Sequence, residues 1–124
     1  MIKRIVFGFF FALLVVCAGG FSVKAVDTYA YSYDDGIKEA QFYVMTESIK
    51  QYTPNDISVN VKIVLNFKNG NQKVNISTFK YNFKKGEWFV MEYDQYGRAY
   101  RGGDVKSMSE REKNVFNIVK KYIK

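Results

Sequence analysis

The chain has 124 residues, contains no histidine, and has a single cysteine, Cys17. Zinc sites of the usual kind need cysteine or histidine ligands, and both Cys–His nucleophiles and Ser–His–Asp triads need histidine. The sequence therefore excludes these three kinds of site. Because Cys17 lies in an apolar segment near the amino terminus, residues 26–124 form no internal disulfide and must be stabilised by an apolar core.

The excess of positive charge is small. The full chain carries 19 basic and 12 acidic residues, a net charge of +7. Without Lys3, Arg4 and Lys24, which precede residue 26, the balance is 16 against 12, or +4. Because a nucleic-acid reader shows a clustered basic stripe, we expect no nucleic-acid partner. The charge is typical of a solvated surface, with contact to an acidic envelope polymer or an anionic membrane as the alternative.

The amino terminus has the pattern of an export signal. Residues 5–23 are uncharged and mostly apolar, and Lys3 and Arg4 stand directly before them. A positive start, an apolar stretch and small residues near a cleavage site are the marks of a secretory signal peptide. The sequence predicts that residues 1–25 are such a signal, cleaved between Ala25 and Val26.

Two other interpretations of residues 1–25 stay open. The uncharged run is long enough for an uncleaved membrane anchor, and Cys17 is the lipid-modified residue if the segment is a lipoprotein signal. All three interpretations predict an exported protein that is secreted, periplasmic or on the cell surface. Membrane contact is expected only through residues 1–25, if they are uncleaved or lipidated. The high use of Lys, Asn, Ile, Tyr and Phe favours a bacterial source.

Residues 26–124 have the size of one domain, and no linker divides them. Tyr29, Tyr31 and Tyr33 alternate in an edge strand or a loose arm. Apolar residues between 37 and 52 recur near the helical period, so we predict a first helix there, with Asp35 as its N-cap.

An antiparallel meander of three or four strands is predicted next. Apolar and polar residues alternate from 57 to 67, the pattern of a strand with one buried face. Lys68-Asn69-Gly70-Asn71 is a hairpin signal. In the returning strand the apolar positions change phase, which predicts a bulge near Ser77-Thr78. A second turn at residues 84–87 leads into a strand over residues 88–93.

The carboxyl-terminal part is predicted to be a loop followed by a helix. Residues 94–106 contain three glycines and are predicted to be a loop. Ser109-Glu110-Arg111-Glu112 is a capping box that begins a helix with one apolar face. We expect this helix to pack on the sheet. The predicted fold class is α+β: a helix, the meander and a carboxyl-terminal helix packed on the sheet.

The run Lys85-Gly86-Glu87-Trp88-Phe89-Val90 at the last hairpin, after a helix and a meander, resembles small exported cystatin-like or NTF2-like bacterial domains. The resemblance covers residues 36–93. It implies a sheet curled around the first helix, a scaffold shared by inhibitors, envelope assembly proteins and ligand pockets. It implies no particular site residues.

Two sets of residues are candidates for binding. Arginine and tyrosine carry much of the binding energy at protein interfaces, and glycines beside them let a loop adapt. The first set is therefore Tyr96, Arg98, Tyr100 and Arg101. The second is an apolar pocket between helix and curved sheet, lined by Phe79, Phe83, Trp88 and Phe89.

Carboxylates offer the only route to catalysis in a chain without histidine. Asp34 with Asp35, and Glu92 with Asp94, are close in sequence, but turns and solvent-facing strand positions account for them. We therefore predict no enzymatic activity, no metal and no cofactor. The predicted function is that of an exported domain that binds another macromolecule, a protein or envelope polymer; the alternative is a small-ligand-binding domain.

Overall fold

The computed structural model describes residues 27–123. The predicted cleavage site between Ala25 and Val26, the alternative membrane anchor and Cys17 lie outside the described residues. Among residues 27–123 no helix is long and apolar enough to cross a membrane.

Six antiparallel strands form one sheet and make up 63% of the described residues. Their order in the sheet is their order in the chain, so each strand pairs with its sequence neighbours. The predicted α+β class was wrong, because the described chain is mostly sheet with one short α-helix near its end. The strands are β1 (Thr28–Asp34), β2 (Lys38–Thr53), β3 (Asp56–Phe67), β4 (Gln72–Lys84), β5 (Glu87–Tyr93) and β6 (Ala99–Asp104).

The predicted first helix is the long strand β2. Its buried residues Ala40, Phe42 and Val44 alternate with more exposed ones, which is the period of a strand. β2 pairs with β1 on one side and with β3 on the other. The aromatic and β-branched residues of this segment favour a strand that is paired on both sides. This preference outweighs the helical spacing of its apolar residues. Asp35 caps no helix, since its carboxylate accepts from the backbone of Ile37 and Lys38 in the β1–β2 turn.

This correction also removes the arrangement that the cystatin-like or NTF2-like resemblance implied. No helix precedes the sheet in the described residues, so the sheet does not curl around a first helix. The segment that carries Tyr29, Tyr31 and Tyr33 is the edge strand β1, paired with the domain's own sheet. The pairing of β1 with β2 shifts register between Tyr29 and Tyr31, so that Tyr29 lies opposite Tyr43 and Tyr31 lies opposite Phe42. The Tyr29 ring contacts Tyr43, and the rings of Tyr31 and Tyr33 contact Phe42.

The β3–β4 hairpin turns at residues 68–71, as its Asn-Gly signal predicts, with Gly70 at φ +92°. The predicted bulge near Ser77-Thr78 is wrong, because β3 and β4 pair without interruption from Asp56–Asn82 to Asn66–Gln72. The change of phase arises because both faces of β4 carry apolar residues. Val74 lies on one face, whereas Phe79 lies buried on the other.

The predicted loop over residues 94–106 contains strand β6 and the 3₁₀-helix Val105–Ser107. Gly102 of β6 lies opposite Met91 of β5. A Cβ at Gly102 would meet Met91 Sδ at 2.8 Å and the Val90 carbonyl oxygen at 3.2 Å. A side chain at Gly102 would require the flexible Met91 side chain to move and the Val90 carbonyl to shift slightly, so this position favours glycine, whereas sequence reasoning took the same glycines for a loop signal.

Helix α1 (Glu110–Val119) lies across one face of the sheet, which we call the inner face, and a 3₁₀-turn (Lys120–Tyr122) follows it. The Phe116 ring lies 5.0 Å from the Tyr81 ring and 5.4 Å from the Trp88 ring. At the other side of the sheet, Asn114 Nδ2 donates to the Ala30 carbonyl oxygen of β1 at 2.9 Å. α1 thus spans from β5 back to β1.

The core lies between α1 and the inner face. Its members are the apolar residues of alternate strand positions and of the buried side of the helix. They are Ala30, Ala40, Phe42, Val44, Ile57, Val59, Val61, Phe79, Tyr81, Val90, Val105, Val115, Phe116 and Val119.

Candidate functional site

An open cleft of about 470 Å³ lies on the inner face, beside the start of α1. We call it the inner cleft. Its floor consists of Phe42 from β2 and of Ile63 and Leu65 from β3, and Tyr33 borders it from β1. Ile63 and Leu65 continue the row of Ile57, Val59 and Val61, but they are half-buried where those three are buried. The apolar row therefore runs past the part of the face that α1 covers.

Three cationic side chains border the inner cleft, namely Lys38, Lys73 and Arg111. Lys38 Nζ pairs with Asp35 at 2.8 Å, whereas Lys73 has no ion pair among the described residues. The Arg111 guanidinium lies over the Phe42 ring, 5.1 Å from its centroid, an arrangement that favours the cation electrostatically. The remaining lining residues are Asn75, Ile76, Ser77, Asp94, Gln95, Tyr96 and Tyr100.

Two carboxyl groups lie directly behind Arg111. Glu92 of β5 and Glu112 of α1 are both 0% exposed. Arg111 Nε lies 2.8 Å from Glu112 Oε2, and Arg111 Nη2 lies 3.8 Å from Glu92 Oε1. Arg101 Nε of β6 lies 3.6 Å from Glu112 Oε2 and 3.9 Å from Glu92 Oε2. We call these four residues the buried charge cluster after its two carboxyl groups, although the Arg101 side chain is 43% exposed and that of Arg111 is 20% exposed.

The two carboxyl groups differ in their hydrogen bonds. Glu112 accepts from Ser109 Oγ and from Arg111 Nε. Ser109 stands at the N-cap position, but its hydroxyl binds the Glu112 side chain instead of capping a backbone N–H. Neither carboxyl oxygen of Glu92 accepts a hydrogen bond of ordinary geometry within residues 27–123, and the Glu112 carboxylate beside it is the group to which a protonated Glu92 can donate. A buried carboxylate without hydrogen bonds is costly, so the environment favours a protonated Glu92.

The pKa values follow from this difference. Burial, and then the neighbouring Glu112 carboxyl, raise the pKa of Glu92 to about 8. Burial also raises the pKa of Glu112, but the Glu92 carboxyl, Ser109 and Arg111 outweigh it and lower that pKa to about 2. The two groups titrate as a pair, in which one proton resides on Glu92 at neutral pH.

Two tyrosines adjoin the buried charge cluster. Tyr100 borders the inner cleft, and its hydroxyl lies 2.8 Å from Ser77 Oγ. Because Ser77 Oγ donates to the Tyr93 carbonyl oxygen at 2.7 Å, Tyr100 is the donor to Ser77. Burial raises the pKa of the Tyr100 hydroxyl. Within residues 27–123 the buried Tyr81 hydroxyl has no hydrogen-bond partner, and burial, with Glu92 and Glu112 nearby, raises its pKa.

The first predicted binding set does not form one surface. Tyr96 is 72% exposed in the β5–β6 turn, and the Arg98 guanidinium lies 5.2 Å from its ring centroid. Arg98 Nε also pairs with Asp94 at 3.1 Å. Tyr96 and Tyr100 border the inner cleft, whereas Arg101 belongs to the buried charge cluster.

The second predicted set does not line one pocket either. Phe79 is fully buried in the core. Phe83 contacts Trp88 at 5.2 Å between ring centroids, and Trp88 borders a separate cavity of about 400 Å³ beside α1. Phe89 alternates with Trp88 along β5 and so lies on the outer face of the sheet, where Lys84 Nζ covers its ring at 5.0 Å.

The carboxylate pairs considered from the sequence are also separated. Asp34 and Asp35 belong to the β1–β2 turn. In the β5–β6 turn, the Asp94 carboxylate accepts hydrogen bonds from the backbone N–H groups of Tyr96 and Arg98 and from Arg98 Nε. Glu92, in contrast, is buried. The expectation that Glu92 faces solvent was wrong. Residues two positions apart in a strand lie on the same face, so the apolar Val90 indicated that Glu92 lies on the buried face. In residues 27–123 no three Cys, Asp or Glu side chains are grouped to hold a metal ion.

In comparisons with known proteins, no family model, curated protein or solved structure matches the chain.

Proposed function

We propose that this chain is an exported, non-enzymatic binding domain that holds a small, partly apolar ligand in the inner cleft. The observation that carries the proposal is the pair of half-buried residues Ile63 and Leu65, which continue the apolar row beyond the part of the inner face that α1 covers, beside the buried ring of Phe42. Residues 1–25, with the pattern of an export signal, support a site of action outside the cytoplasm.

The size and lining of the inner cleft support a small ligand. Ligand pockets commonly measure roughly 300 to 1,000 Å³, are mostly apolar and contain a few polar groups that orient the ligand. The inner cleft, at about 470 Å³, lies within that range. Arg111 and Tyr100 are held at its border by contacts behind them, so they are positioned before a ligand arrives.

A macromolecular contact through Tyr96, Arg98, Tyr100 and Arg101 receives less support. Arg101 contacts the two buried carboxyl groups, and Tyr100 is bonded to Ser77. Tyr96 and Tyr100, which are 72% and 51% exposed, border the inner cleft and do not form a separate contact surface, and Arg98 is paired with Asp94. We therefore propose the small-ligand function in place of the macromolecular one.

The test is to fill the inner cleft. Ile63→Trp places a large ring on the cleft floor of β3 in the full chain. The matched control is Val74→Trp, because Val74 is 49% exposed on the other face of the neighbouring strand β4. The probe is the neutral, apolar dye N-phenyl-1-naphthylamine, followed by its fluorescence.

We expect the unmodified chain and Val74→Trp to bind the dye with equal affinity. Ile63→Trp should weaken binding at least about tenfold, which corresponds to roughly 1.4 kcal/mol. The proposal fails if the dye does not bind the unmodified chain, or if both tryptophan variants bind it equally well. Circular dichroism of both variants checks that the sheet is intact.

A further inference from the structure

Arg111 belongs to both the inner cleft and the buried charge cluster. Its guanidinium borders the cleft above the Phe42 ring, and its Nε and Nη2 face the carboxyl groups of Glu112 and Glu92. The third nitrogen, Nη1, has no hydrogen bond or ion pair among residues 27–123. A change of charge behind Arg111 therefore acts on the inner cleft through this side chain.

The charge behind the inner cleft depends on one proton. The buried charge cluster contains two carboxyl groups and two guanidinium groups. If both carboxyl groups are ionised, the cluster is neutral. If Glu92 holds a proton, Arg101 and Arg111 face a single carboxylate, that of Glu112, and one positive charge is in excess. That charge attracts an anionic ligand, and because the cleft is open and Arg101 is 43% exposed, added salt should weaken the attraction.

We infer that the ligand of the inner cleft is an anion whose acidic group pairs with Arg111, and that Glu92 must carry its proton for this anion to bind tightly. The inference rests on the proposed function, and it adds the chemical class of the ligand and a proton linkage. A carboxylate, sulfonate or phosphate group meets the chemistry, because a guanidinium offers such groups charged hydrogen bonds. The apolar floor then holds the body of the ligand.

The border of the inner cleft adds to the attraction for an anion. Lys73 has no ion pair among residues 27–123, and it lies opposite Leu65 of the cleft floor. The acidic residue at this border, Asp94, is already paired with Arg98 at 3.1 Å. A ligand anion thus meets Lys73 and Arg111, together with Lys38 that is paired with Asp35, and no unpaired carboxylate of the cleft lining.

The surroundings of Glu92 support the proton linkage. Burial and the Glu112 carboxyl raise the pKa of Glu92 to about 8, so the excess positive charge is present below that pH and lost above it. A bound anion opposes ionisation of Glu92 and so favours the protonated form further. The titratable and charged groups that face Glu92 are Tyr81 of β4, Tyr100 and Arg101 of β6, and Arg111 and Glu112 of α1.

Two dyes with the same aromatic rings distinguish the contribution of an anionic group to the binding affinity from that of the apolar rings. One is 8-anilinonaphthalene-1-sulfonate, and the other is the neutral N-phenyl-1-naphthylamine. Both are titrated into the full chain at about pH 6.5 and about pH 9.5, a range in which the sulfonate stays ionised and lysine largely keeps its proton. We expect the sulfonate to bind about fivefold or more tightly at the lower pH, and the neutral dye to change less than about twofold.

Two glutamine variants identify the group that holds the proton. Glu92→Gln should keep the low-pH affinity for the sulfonate at both pH values. Glu87→Gln is the matched control, because Glu87 lies on the same strand and also has a raised pKa, caused by Asp104, but does not border the inner cleft. It should retain the full pH dependence.

The possible failures are distinguishable. Absence of binding by both dyes overturns the proposed function itself. Binding of both dyes with equal affinity and no pH dependence leaves the cleft a ligand site but overturns the anion inference. A pH dependence that persists in Glu92→Gln overturns the role of Glu92.

Discussion

Glu92 and Glu112 are an unusual pair for a small domain, since both carboxyl groups are fully buried. Removing charges from water costs several kcal/mol for each ion, and pairing in the interior often no more than offsets that cost. The buried charge cluster is therefore poorly explained by stability alone. Its contact with the inner cleft through Arg111 gives it a second role, which agrees with the proposed function.

The raised pKa of Glu92 predicts that stability depends on pH. The pKa is about 8 in the folded protein and 4.5 ordinarily, so the folded state holds the proton more tightly than the unfolded state does. The free energy of unfolding then falls as pH rises from about 4.5 to about 8. Glu92→Gln removes this loss, and we expect it to raise the free energy of unfolding at about pH 8.5 by roughly 2 to 4 kcal/mol, with little change near pH 5.

Urea unfolding at several pH values measures this effect. Glu112→Gln is the control, because the pKa of Glu112 is lowered to about 2 and its ionised form is the stabilising one. That variant should lower stability wherever the pH is above about 4.5. Equal pH slopes for the unmodified chain and for Glu92→Gln would show that Glu92 is ionised in the folded state.

At the scale of single elements, the sequence predicts hairpins better than it predicts long strands. The Asn69–Gly70 turn and the start of α1 at residue 110 were predictable, because their signals are local. β2 was not, since Ala40, Phe42 and Val44 fit both a helix and a strand, and only pairing with β1 and β3 decides between them. β6 was missed because Gly102 lies opposite Met91 of β5, a contact that the residues next to Gly102 in sequence do not indicate.

The candidate site was predictable only in part. Tyr96 and Tyr100 were singled out by residue type, and both border the inner cleft. The cleft floor of Ile63 and Leu65 was expected to be buried, because a strand pattern does not say where a covering helix ends. Arg111 and Glu92 come together from α1 and β5, and the sequence contains no local signal for that contact.

The β4–β5 turn gives a prediction for a single element. Lys85 has φ +52° and Gly86 has φ +77°, the two positive angles of a type I′ hairpin turn. A Cβ disfavours this region in lysine as in other residues, but asparagine tolerates it because its short polar side chain can hydrogen-bond locally. We expect Lys85→Asn to raise the free energy of unfolding by about 0.5 to 1 kcal/mol in urea denaturation.

The control for the turn is Lys106→Asn, since Lys106 lies outside the hairpins in the 3₁₀-helix Val105–Ser107. It should change stability by less than about 0.5 kcal/mol. A loss of stability in Lys85→Asn would mean that the Lys85 side chain makes a contact more important than the backbone angle.

For the whole molecule, Asn114 joins the last helix to the first strand. Its Nδ2 donates to the Ala30 carbonyl oxygen at 2.9 Å, and the two residues are 84 positions apart. Ala30 lies where the β1–β2 register shifts, so this carbonyl depends on α1 for a partner. Asn114→Ala should lower the free energy of unfolding by about 1 to 2 kcal/mol and speed amide hydrogen exchange in β1.

Asn117→Ala is the matched control, because it changes the same residue type at an exposed position of the same helix. It should leave both the stability and the exchange of β1 amides nearly unchanged. If the two variants behave alike, β1 is held by its pairing with β2 alone.

The agreement between strand order and chain order has a consequence for how the molecule is made. A polypeptide that emerges amino end first always finds the partner of each new strand already in place, so the sheet grows by one neighbour at a time. Its apolar face stays bare during this growth, because α1 is the last α-helix to be synthesised. The nascent chain therefore keeps an exposed, aggregation-prone apolar face until the segment after Ser109 has been made. Until then, a ribosome, channel or chaperone that covers this face would prevent aggregation.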